Sequence, residues 1–416
     1  MTATASKEAP PATPEPRKGW GRRALDFYLY GNAVVVTVLA FVCALVVGAI
    51  LIVVADQATR SSFSYFFAAP GDTFSNAWNA IASGYGALFR GAIFDPRLAS
   101  GGVVGALTPI SNTLLNATPL ILGGLGVAVA FRTGLFNIGV QGQMILGAIF
   151  SGYVAFAWQL PPVIHVVVAV LAGVLGGALW GGLAGWLMAR TGAHEVITTI
   201  MLNYIALALL AYLLGVNGFQ APGSNQAISR RTHGTARLPH LFGSDLRVHF
   251  GLVIALLAAV LVWWLLTRST LGFSLRAVGA NAFAARTAGM GIERSYLVVM
   301  LISGALAGLA GVSQILGTNT AITGDIDAGI GFDAITVALL GAATPSGTVL
   351  AGLLFGAFSA GSVVMATDTS TPSEIVSIIE PVLVLFIAAP ALIRGIFRLR
   401  AARRSGVGQL AKGWNG

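Results

Sequence analysis

The sequence predicts an all-α, polytopic membrane protein with about ten transmembrane helices. Of its 416 residues, 56% are hydrophobic and only 9% are charged, whereas soluble domains carry about 25% charged residues. The mean hydropathy of +0.82 is likewise too high for a fold surrounded by water. The apolar residues gather in separate runs of about 20, the length that an α-helix needs to cross the hydrocarbon core of a bilayer.

Ten apolar runs are the candidate spans. They lie at about 31–55, 107–131, 140–158, 161–189, 196–215, 249–267, 296–316, 332–344, 348–366 and 375–393. The first run is longer than the core of a signal peptide, so it predicts a retained helix. The run at 332–344 is too short to cross a bilayer, which predicts a broken or half-spanning helix.

The chain divides into a membrane domain between two tails. Residues 1–24, rich in Pro, Ala and Thr, predict a disordered cytoplasmic tail. Residues 25–396 form the predicted membrane domain, and residues 397–416 a basic cytoplasmic tail. Three segments of the membrane domain are expected not to cross: an outer interfacial segment at 56–105, an outer loop at 216–248 and a cytoplasmic loop at 268–294.

The basic residues predict the orientation. Ten spans with a cytoplasmic N-terminus leave seven of the 24 Lys and Arg residues outside and 17 inside, as the positive-inside rule requires, and both termini are then cytoplasmic. The seven outer residues are Arg60, Arg90, Arg97, Arg230, Arg231, Arg237 and Arg247. The net charge of +9 therefore reflects cytoplasmic segments of a membrane protein, and we expect no nucleic-acid partner.

Glycines at helical spacing predict close helix packing. Small residues let transmembrane helices approach closely, and they recur at Gly173, Gly177, Gly181, Gly185, Gly304, Gly308, Gly352 and Gly356. The segments MILGA at 144–148 and ALLGA at 338–342 are alike, and we expect them to open the third and eighth spans. Because these spans cross in opposite directions, the likeness predicts an inverted repeat.

The sequence does not contain the residue patterns that several classes of function require. None of the three lysines lies in a phosphate-binding loop, so the chain is not expected to hydrolyse ATP, and no catalytic or metal-ligating residue is predicted. His233, His240 and His249 lie in or beside the outer loop and are expected to be solvated. Glu380, in the last span, is either an ion-coupling carboxyl or a hydrogen-bonded carboxyl that supports the kink at Pro381.

An amide-rich segment interrupts the apolar pattern at 132–143. Its amides either bind a neutral polar solute within the membrane or form a network between helices, since unpaired amides there are costly. From position and chemistry, the residues predicted to line a solute pathway are Phe136, Asn137, Gln141, Gln143, Asn203, Phe332 and Thr336.

The cytoplasmic loop at 268–294 contains a short apolar helix. Asn281 suits its N-cap and Gly289 its C-terminus. A helix of barely two turns is marginal alone. It therefore predicts either a surface for a partner protein or a plain connecting turn.

Four blocks of this sequence resemble the permease subunits of bacterial ABC importers for simple sugars and nucleosides. They are ATPLILGGLGVAVAFRTGLFNIGVQGQMILGA at 117–148, EVITTIMLNYIA at 195–206, LRAVGANAFAARTAGMGI at 275–292 and GFDAITVALLGAATPSGTVLAGLLFGA at 331–357. The resemblance covers residues 107–395 approximately. Within this family, the sequence most resembles the larger of the two sibling permeases of nucleoside transporters. The related machinery for branched-chain amino acids belongs to the same superfamily.

The resemblance implies a bacterial plasma-membrane assembly. Two permease chains, here expected to be siblings, would surround the pathway in the bilayer. A solute-binding protein would deliver solute from outside, and cytoplasmic ATP-binding subunits would bind ATP and Mg, so this chain needs no cofactor of its own. The residues expected to couple it to the ATPase are Arg276, Asn281, Ala284, Ala285 and Gly289.

Four hypotheses about function remain open from the sequence. The first is a permease subunit, not an enzyme, that carries nucleosides in an ATP-binding cassette importer. The second keeps the machinery and changes the cargo to simple sugars such as ribose or to branched-chain amino acids. The third is a secondary transporter coupled to H⁺ or Na⁺ through Glu380, and the fourth is a structural or receptor-like membrane protein.

Overall fold

The computed structural model describes residues 33–398 except 244, 370 and 373. The predicted tail at 1–24 and all but the first residues of the tail at 397–416 lie outside the described residues. Regular structure in the described part is helical, as the composition predicts. By their contacts the residues form two units, one of residues 45–384 and one that includes the described residues 33–44 and 385–398.

Eight described helices are long and apolar enough to cross a membrane. They are α1 (Ala33–Ala55), α5 (Val103–Arg132), α6 (Val140–Ala157), α7 (Pro162–Thr191), α8 (Glu195–Leu213), α9 (Gly251–Arg268), α12 (Ile292–Val312, continued by a π-helical turn at Ser313–Thr318) and α14 (Pro345–Asp368). Two shorter helices, α13 (Ile330–Leu340) and α15 (Glu374–Ala388), complete a set that matches the ten predicted runs to within a few residues.

The remaining helices lie between the spans. Three occupy the outer segment at 56–105: α2 (Gln57–Phe63), α3 (Pro70–Ala92) and α4 (Pro96–Ala99). Two lie in the segment predicted to be a cytoplasmic loop, α10 (Thr270–Ala280) and α11 (Ala282–Thr287), and α16 (Pro390–Ile396) follows α15. On α3 two aromatic side chains are uncovered, with Phe74 68% and Trp78 69% exposed, while Gly91 packs against α14 at Val364 and Ala360.

Contacts at one end of the helices join the loops predicted to lie outside. Arg90 and Arg97 both form ion pairs with Asp368, at the end of α14. The backbone N–H of Ser229 in the outer loop donates to Ile322 (2.9 Å). These pairings agree with the alternating crossings that the ten-span count predicts.

Contacts at the opposite end join the loops predicted to lie inside. Arg132, at the end of α5, donates through Nε to the carbonyl of Ala343 (2.9 Å). Ala342 and Ala343 both have φ near +50°, a left-handed conformation that non-glycine residues rarely adopt. The guanidinium therefore holds a strained turn after α13. Gly279 of α10 packs on the backbone of Arg132 and Thr133 at the same end.

The predicted glycine seams are confirmed. A Cβ at Gly304 would lie 2.2 Å from the carbonyl oxygen of Gly177, and one at Gly308 would lie 2.4 Å from that of Gly173. Helices α7 and α12 therefore touch through their backbones. Gly352 and Gly356 of α14 pack in the same way on α5, where Cβ atoms would lie 2.6 Å from side-chain and backbone atoms.

Helix α13 is the predicted half-spanning helix. Its 11 residues extend about 16 Å, roughly half of a hydrocarbon core. The chain reaches it by turning back after the π-helical turn, through residues 319–329. The expected position of ALLGA is wrong, because Ala338–Ala342 lies at the end of α13 rather than its beginning. The inverted repeat stays a prediction.

The smaller unit has an apolar core of its own. Ala40 of α1 and Ile393 of α16 are fully buried, and Leu39, Cys43 and Phe386 pack against them.

Candidate functional site

The amide-rich segment before α6 is braced by hydrogen bonds. The Asn137 side chain, 1% exposed, donates from Nδ2 to Ser303 Oγ (2.7 Å) and to Gln143 Oε1 (3.1 Å). Its Oδ1 accepts from the N–H of Gly139 (2.9 Å). Ser303 Oγ in turn donates to the carbonyl of Gly126 (2.8 Å). The network thus ties α5, α6 and α12 together.

Asn203 of α8 holds the other side of this segment. Its Oδ1 accepts from the N–H of Gly142 (2.9 Å), and its Nδ2 donates to the carbonyl of Ile138 (2.9 Å). Asn137, Gln143 and Asn203, all predicted to line a solute pathway, are engaged with protein groups here. The geometry favours the alternative that their amides form a network between helices.

Gln141 connects the start of α6 to the segment before α13. Its Nε2 donates to Oδ2 of the buried Asp327 (2.8 Å). A Cβ at Gly331 would lie 2.5 Å from the Cα of Gln141. The beginning of the half-spanning helix is therefore fixed on the beginning of α6.

The predicted residues of α13 lie on a face that the described chain leaves open. Phe332 is 51% exposed, and Leu339 farther along the same helix is 40% exposed. Thr336, between them, is half-buried and donates to the carbonyl of Phe332 at 3.5 Å. Phe136 is 38% exposed and stacks on Phe131, with ring centroids 4.9 Å apart. These side chains are available to a solute or to another chain.

A polar cavity of about 110 Å³ lies where α13 begins. Its polar side chains come from α5, the π-helical turn, α13, α14 and α15, and are Asn116, Gln314, Asp333, Ser359 and Glu380. Leu120, Ile330 and Phe355 supply apolar walls. Asp333 and Glu380 lie close enough to interact electrostatically.

Sequence reasoning missed this cavity. Of the residues that line it, the sequence analysis considered Glu380 alone and did not single out Asn116, Gln314, Asp333 or Ser359. Each is a single polar residue in an apolar helix, so no spacing connects them. The carboxyl of Glu380 has no hydrogen-bond partner among the described residues, contrary to the hydrogen-bonded interpretation of that residue.

Two larger cavities, of about 410 and 370 Å³, have mostly apolar linings. Phe150, Tyr153 and Phe219 contribute to the first, and Val163, Val166 and Phe250 to the second. Such grooves suit lipid chains better than a polar solute.

The short helix in the loop at 268–294 forms as the sequence predicts. Oδ1 of Asn281 accepts from the N–H of Ala284 (3.0 Å) and caps α11. Gly289 adopts φ +81°, the left-handed conformation expected after the helix end. Phe283 is 83% exposed, which leaves an uncovered apolar side chain on a two-turn helix.

The other residues predicted for this surface differ in their accessibility. Ala284 is exposed, but Ala285 is buried at 4% exposure. Arg276, on α10, directs Nε towards the carbonyl of Gly272 (3.4 Å). A protein docking on α11 would thus meet Phe283 and Ala284 directly, whereas Ala285 packs inwards.

His249 is buried, so the expectation that it is solvated is wrong. Its side chain is 1% exposed, and a Cβ at Gly317 would lie 2.3 Å from Nε2. Nδ1 accepts from the N–H of Gly251 (3.1 Å). Burial, with a smaller contribution from the neighbouring His240, lowers the pKa of His249 to about 4.

Comparison with known proteins identifies a transport family. A family model described as the permease component of the branched-chain amino acid transport system matches residues 109–388. The chain is 40% identical to the guanosine ABC transporter permease protein NupP of Bacillus subtilis, over 76% of this chain and 88% of the relative.

Other relatives carry different names. The chain is 36% identical to the glucose ABC transporter permease protein TsgB13 of Haloferax volcanii, over 67% of this chain and 75% of the relative. It is 33% identical to the nucleoside ABC transporter permease protein NupB of Lactococcus lactis, over 70% of this chain and 82% of the relative. No solved structure matches.

Proposed function

The chain belongs to the family of branched-chain amino acid transport system permease components, and we propose that this member carries nucleosides inward across a bacterial plasma membrane. It is a multi-pass permease subunit of an ABC transporter. The guanosine and nucleoside permeases among its relatives support this cargo. The glucose permease makes a simple sugar the second candidate.

The polar cavity beside α13 is the observation that carries the proposal. The described residues that line it supply amides, a hydroxyl and two carboxyls, but no Lys or Arg. A branched-chain amino acid brings an ammonium, which the two carboxyls would suit, but also a carboxylate, and a buried carboxylate requires a cation or several hydrogen-bond donors. A neutral solute rich in hydrogen-bonding groups fits this lining better. The cavity therefore favours a nucleoside or a sugar over an amino acid.

Three kinds of protein partner complete the proposed importer. A cytoplasmic ATP-binding subunit would bind ATP and Mg and dock on α11, where Phe283 and Ala284 are exposed. A sibling permease would cover the open face of α13, which carries Phe332 and Leu339. An extracytoplasmic solute-binding protein would deliver the nucleoside to the outer loop at 216–248.

Uptake measurements test the function and the cargo together. Cells with and without this gene are given labelled guanosine, uridine, adenosine and ribose, with the cognate ATPase either intact or mutated at its phosphate-loop lysine. We expect nucleoside uptake to require both this gene and the intact ATPase, while ribose uptake is unchanged. Loss of ribose uptake instead would establish the sugar cargo.

The same cells test ion coupling. If uptake survives the ATPase mutation and is abolished by a protonophore, a secondary transporter replaces the proposed importer. If deletion of the gene affects none of the four solutes, the proposed cargo is wrong.

A further inference from the structure

The cavity beside α13 contains polar groups that the described protein leaves unpaired. Gln314 and Glu380 are each only 8% exposed, and neither side chain has a hydrogen-bond partner among the described residues. The same holds for Asn116 and Asp333, which line the cavity from α5 and α13. These groups stand in contrast to Asn137 and Asn203, whose amides are all engaged.

Such groups are costly unless something binds them. A buried polar group without a partner destabilises the protein, and more so when it is charged. Ionisable residues within membrane helices consequently mark pathways for solutes or ions. Four unpaired polar side chains that converge from separate helices on one cavity indicate a site for a polar guest.

The chemistry of the lining restricts the guest. Carboxylates accept hydrogen bonds, and the amides of Asn116 and Gln314 both donate and accept. Vicinal hydroxyl groups meet these needs, because each donates one hydrogen bond and also accepts. Phe355 and Leu120 offer apolar surface for the carbon face of a ring. The absence of Lys and Arg from the lining disfavours phosphates and nucleotides.

The size of the cavity restricts it further. Its volume of about 110 Å³ is well below the roughly 300 Å³ at which sites for whole drug-sized ligands begin. A five-membered sugar ring fits a cavity of this volume, whereas a complete nucleoside is larger than the cavity.

We propose that this cavity binds the ribose of the transported nucleoside, with Glu380 and Asp333 accepting hydrogen bonds from its vicinal hydroxyls. The amide of Gln314 hydrogen-bonds the same sugar, and the base lies outside the cavity. This site rests on the proposed nucleoside cargo and gives that cargo its point of recognition within the permease.

Binding to the complete importer in nanodiscs, without the solute-binding protein, tests the site. Labelled uridine and guanosine are the probes, with their 2′,3′-dideoxy forms and ribose as competitors. In the wild type we expect ribose to compete and the dideoxy forms to compete at least about tenfold more weakly, since each lacks both ribose hydroxyls and loses their hydrogen bonds to the two carboxyl groups.

Three variants locate the interaction. Glu380→Gln preserves shape and should weaken nucleoside binding about tenfold or more, and it should also reduce the advantage over the dideoxy competitors. Glu374→Gln, an exposed position on the same helix α15, is the matched control and should bind as the wild type does. Ser359→Val fills the cavity without changing charge and should also weaken nucleoside binding. It therefore tests the proposed ribose site even if the Glu380→Gln variant fails to assemble.

The outcomes separate the site from the function. If wild-type cells import nucleosides but Glu380→Gln and Ser359→Val bind like Glu374→Gln, the ribose site is wrong and the proposed function stands. The same follows if the wild-type complex does not distinguish the dideoxy forms or shows no binding. If wild-type cells import no nucleoside, the proposed function is wrong, and the ribose site with it.

Discussion

Buried polar residues in this membrane domain are of two kinds. Asn137 and Asn203 hydrogen-bond through both the oxygen and the nitrogen of their amides and hold helices in place. Gln314 and Glu380 are buried to a similar degree, yet their polar atoms face a cavity. Burial alone therefore does not separate a structural residue from a binding residue. The hydrogen-bond partners make that distinction.

His249 predicts a dependence of stability on pH. Its pKa in the folded protein is about 4, whereas the unfolded chain has a value near 6.5. As the pH falls from about 6.5 towards 4, the unfolded state binds a proton that the folded state does not, so stability is lost, by at most about 3 kcal/mol. We expect the melting temperature of the detergent-purified complex to fall over this range.

The variant His249→Gln isolates this effect from other titrating groups. It should flatten the fall in melting temperature between pH 6.5 and 4 relative to the wild type, because the site no longer takes up a proton. An equal fall in both proteins would show that His249 does not contribute.

The seam between α7 and α12 is the element whose packing tolerates least change. Gly177→Ala would place a Cβ 2.3 Å from the carbonyl oxygen of Gly304, so the helices must separate. We expect a loss of about 1–3 kcal/mol, the usual cost of overpacking, measured as a lower melting temperature. Gly86→Ala on α3 is the matched control, since Arg90 is the only described residue within 4 Å of the added Cβ, and there alanine should be neutral or stabilising. Equal melting temperatures for the two variants would contradict the seam.

Helix α11 predicts an uncoupled variant. Ala284 is exposed beside Phe283, so Ala284→Glu should fold normally but place a charge in the proposed ATPase contact. We expect nucleoside uptake to fall at least about tenfold while the ATPase still hydrolyses ATP. Ala284→Ser, which adds only a hydroxyl, should retain most uptake. Normal uptake by Ala284→Glu would refute the docking role of α11.

The helices were more predictable from the sequence than the cavity. Because bilayer thickness sets the length of a helix that crosses it, the ten apolar runs predicted ten helices, and the shortness of one run predicted that α13 spans only half of the bilayer. The cap at Asn281 was also predictable, since it depends on residues close together in the chain. Asn116, Gln314 and Glu380 meet only through the packing of separate helices. Likewise, the sequence left open whether the amide of Asn137 binds a solute or joins a network between helices.

On the scale of the whole molecule, the open face of α13 predicts an assembly. Phe332 and Leu339 are 51% and 40% exposed beside the cavity, where a second permease chain would enclose the pathway. We expect a tagged copy of this chain to co-purify with its sibling permease and not with an untagged copy of itself.

A pair of alanine variants tests this face. Phe332→Ala should reduce recovery of the sibling, whereas Leu179→Ala, at a residue of α7 that is 60% exposed, should not. Recovery of a second copy of this chain would replace the sibling pair with a homodimer. Equal recovery by both variants would place the partner elsewhere.

Contact between the backbones of α7 and α12 also limits how the transporter can move. If one helix slid along the other by one or two residues, a side chain would have to enter a contact that has room only for the hydrogen of a glycine. Glycines recur every fourth residue at Gly173, Gly177, Gly181 and Gly185, so only a shift of a whole turn would restore the fit. Spin labels on these two helices should therefore keep a constant separation throughout a transport cycle. The change between outward-open and inward-open states must then involve helices that contact each other through side chains. We expect the distance between α13 and its neighbouring helices to change during the cycle.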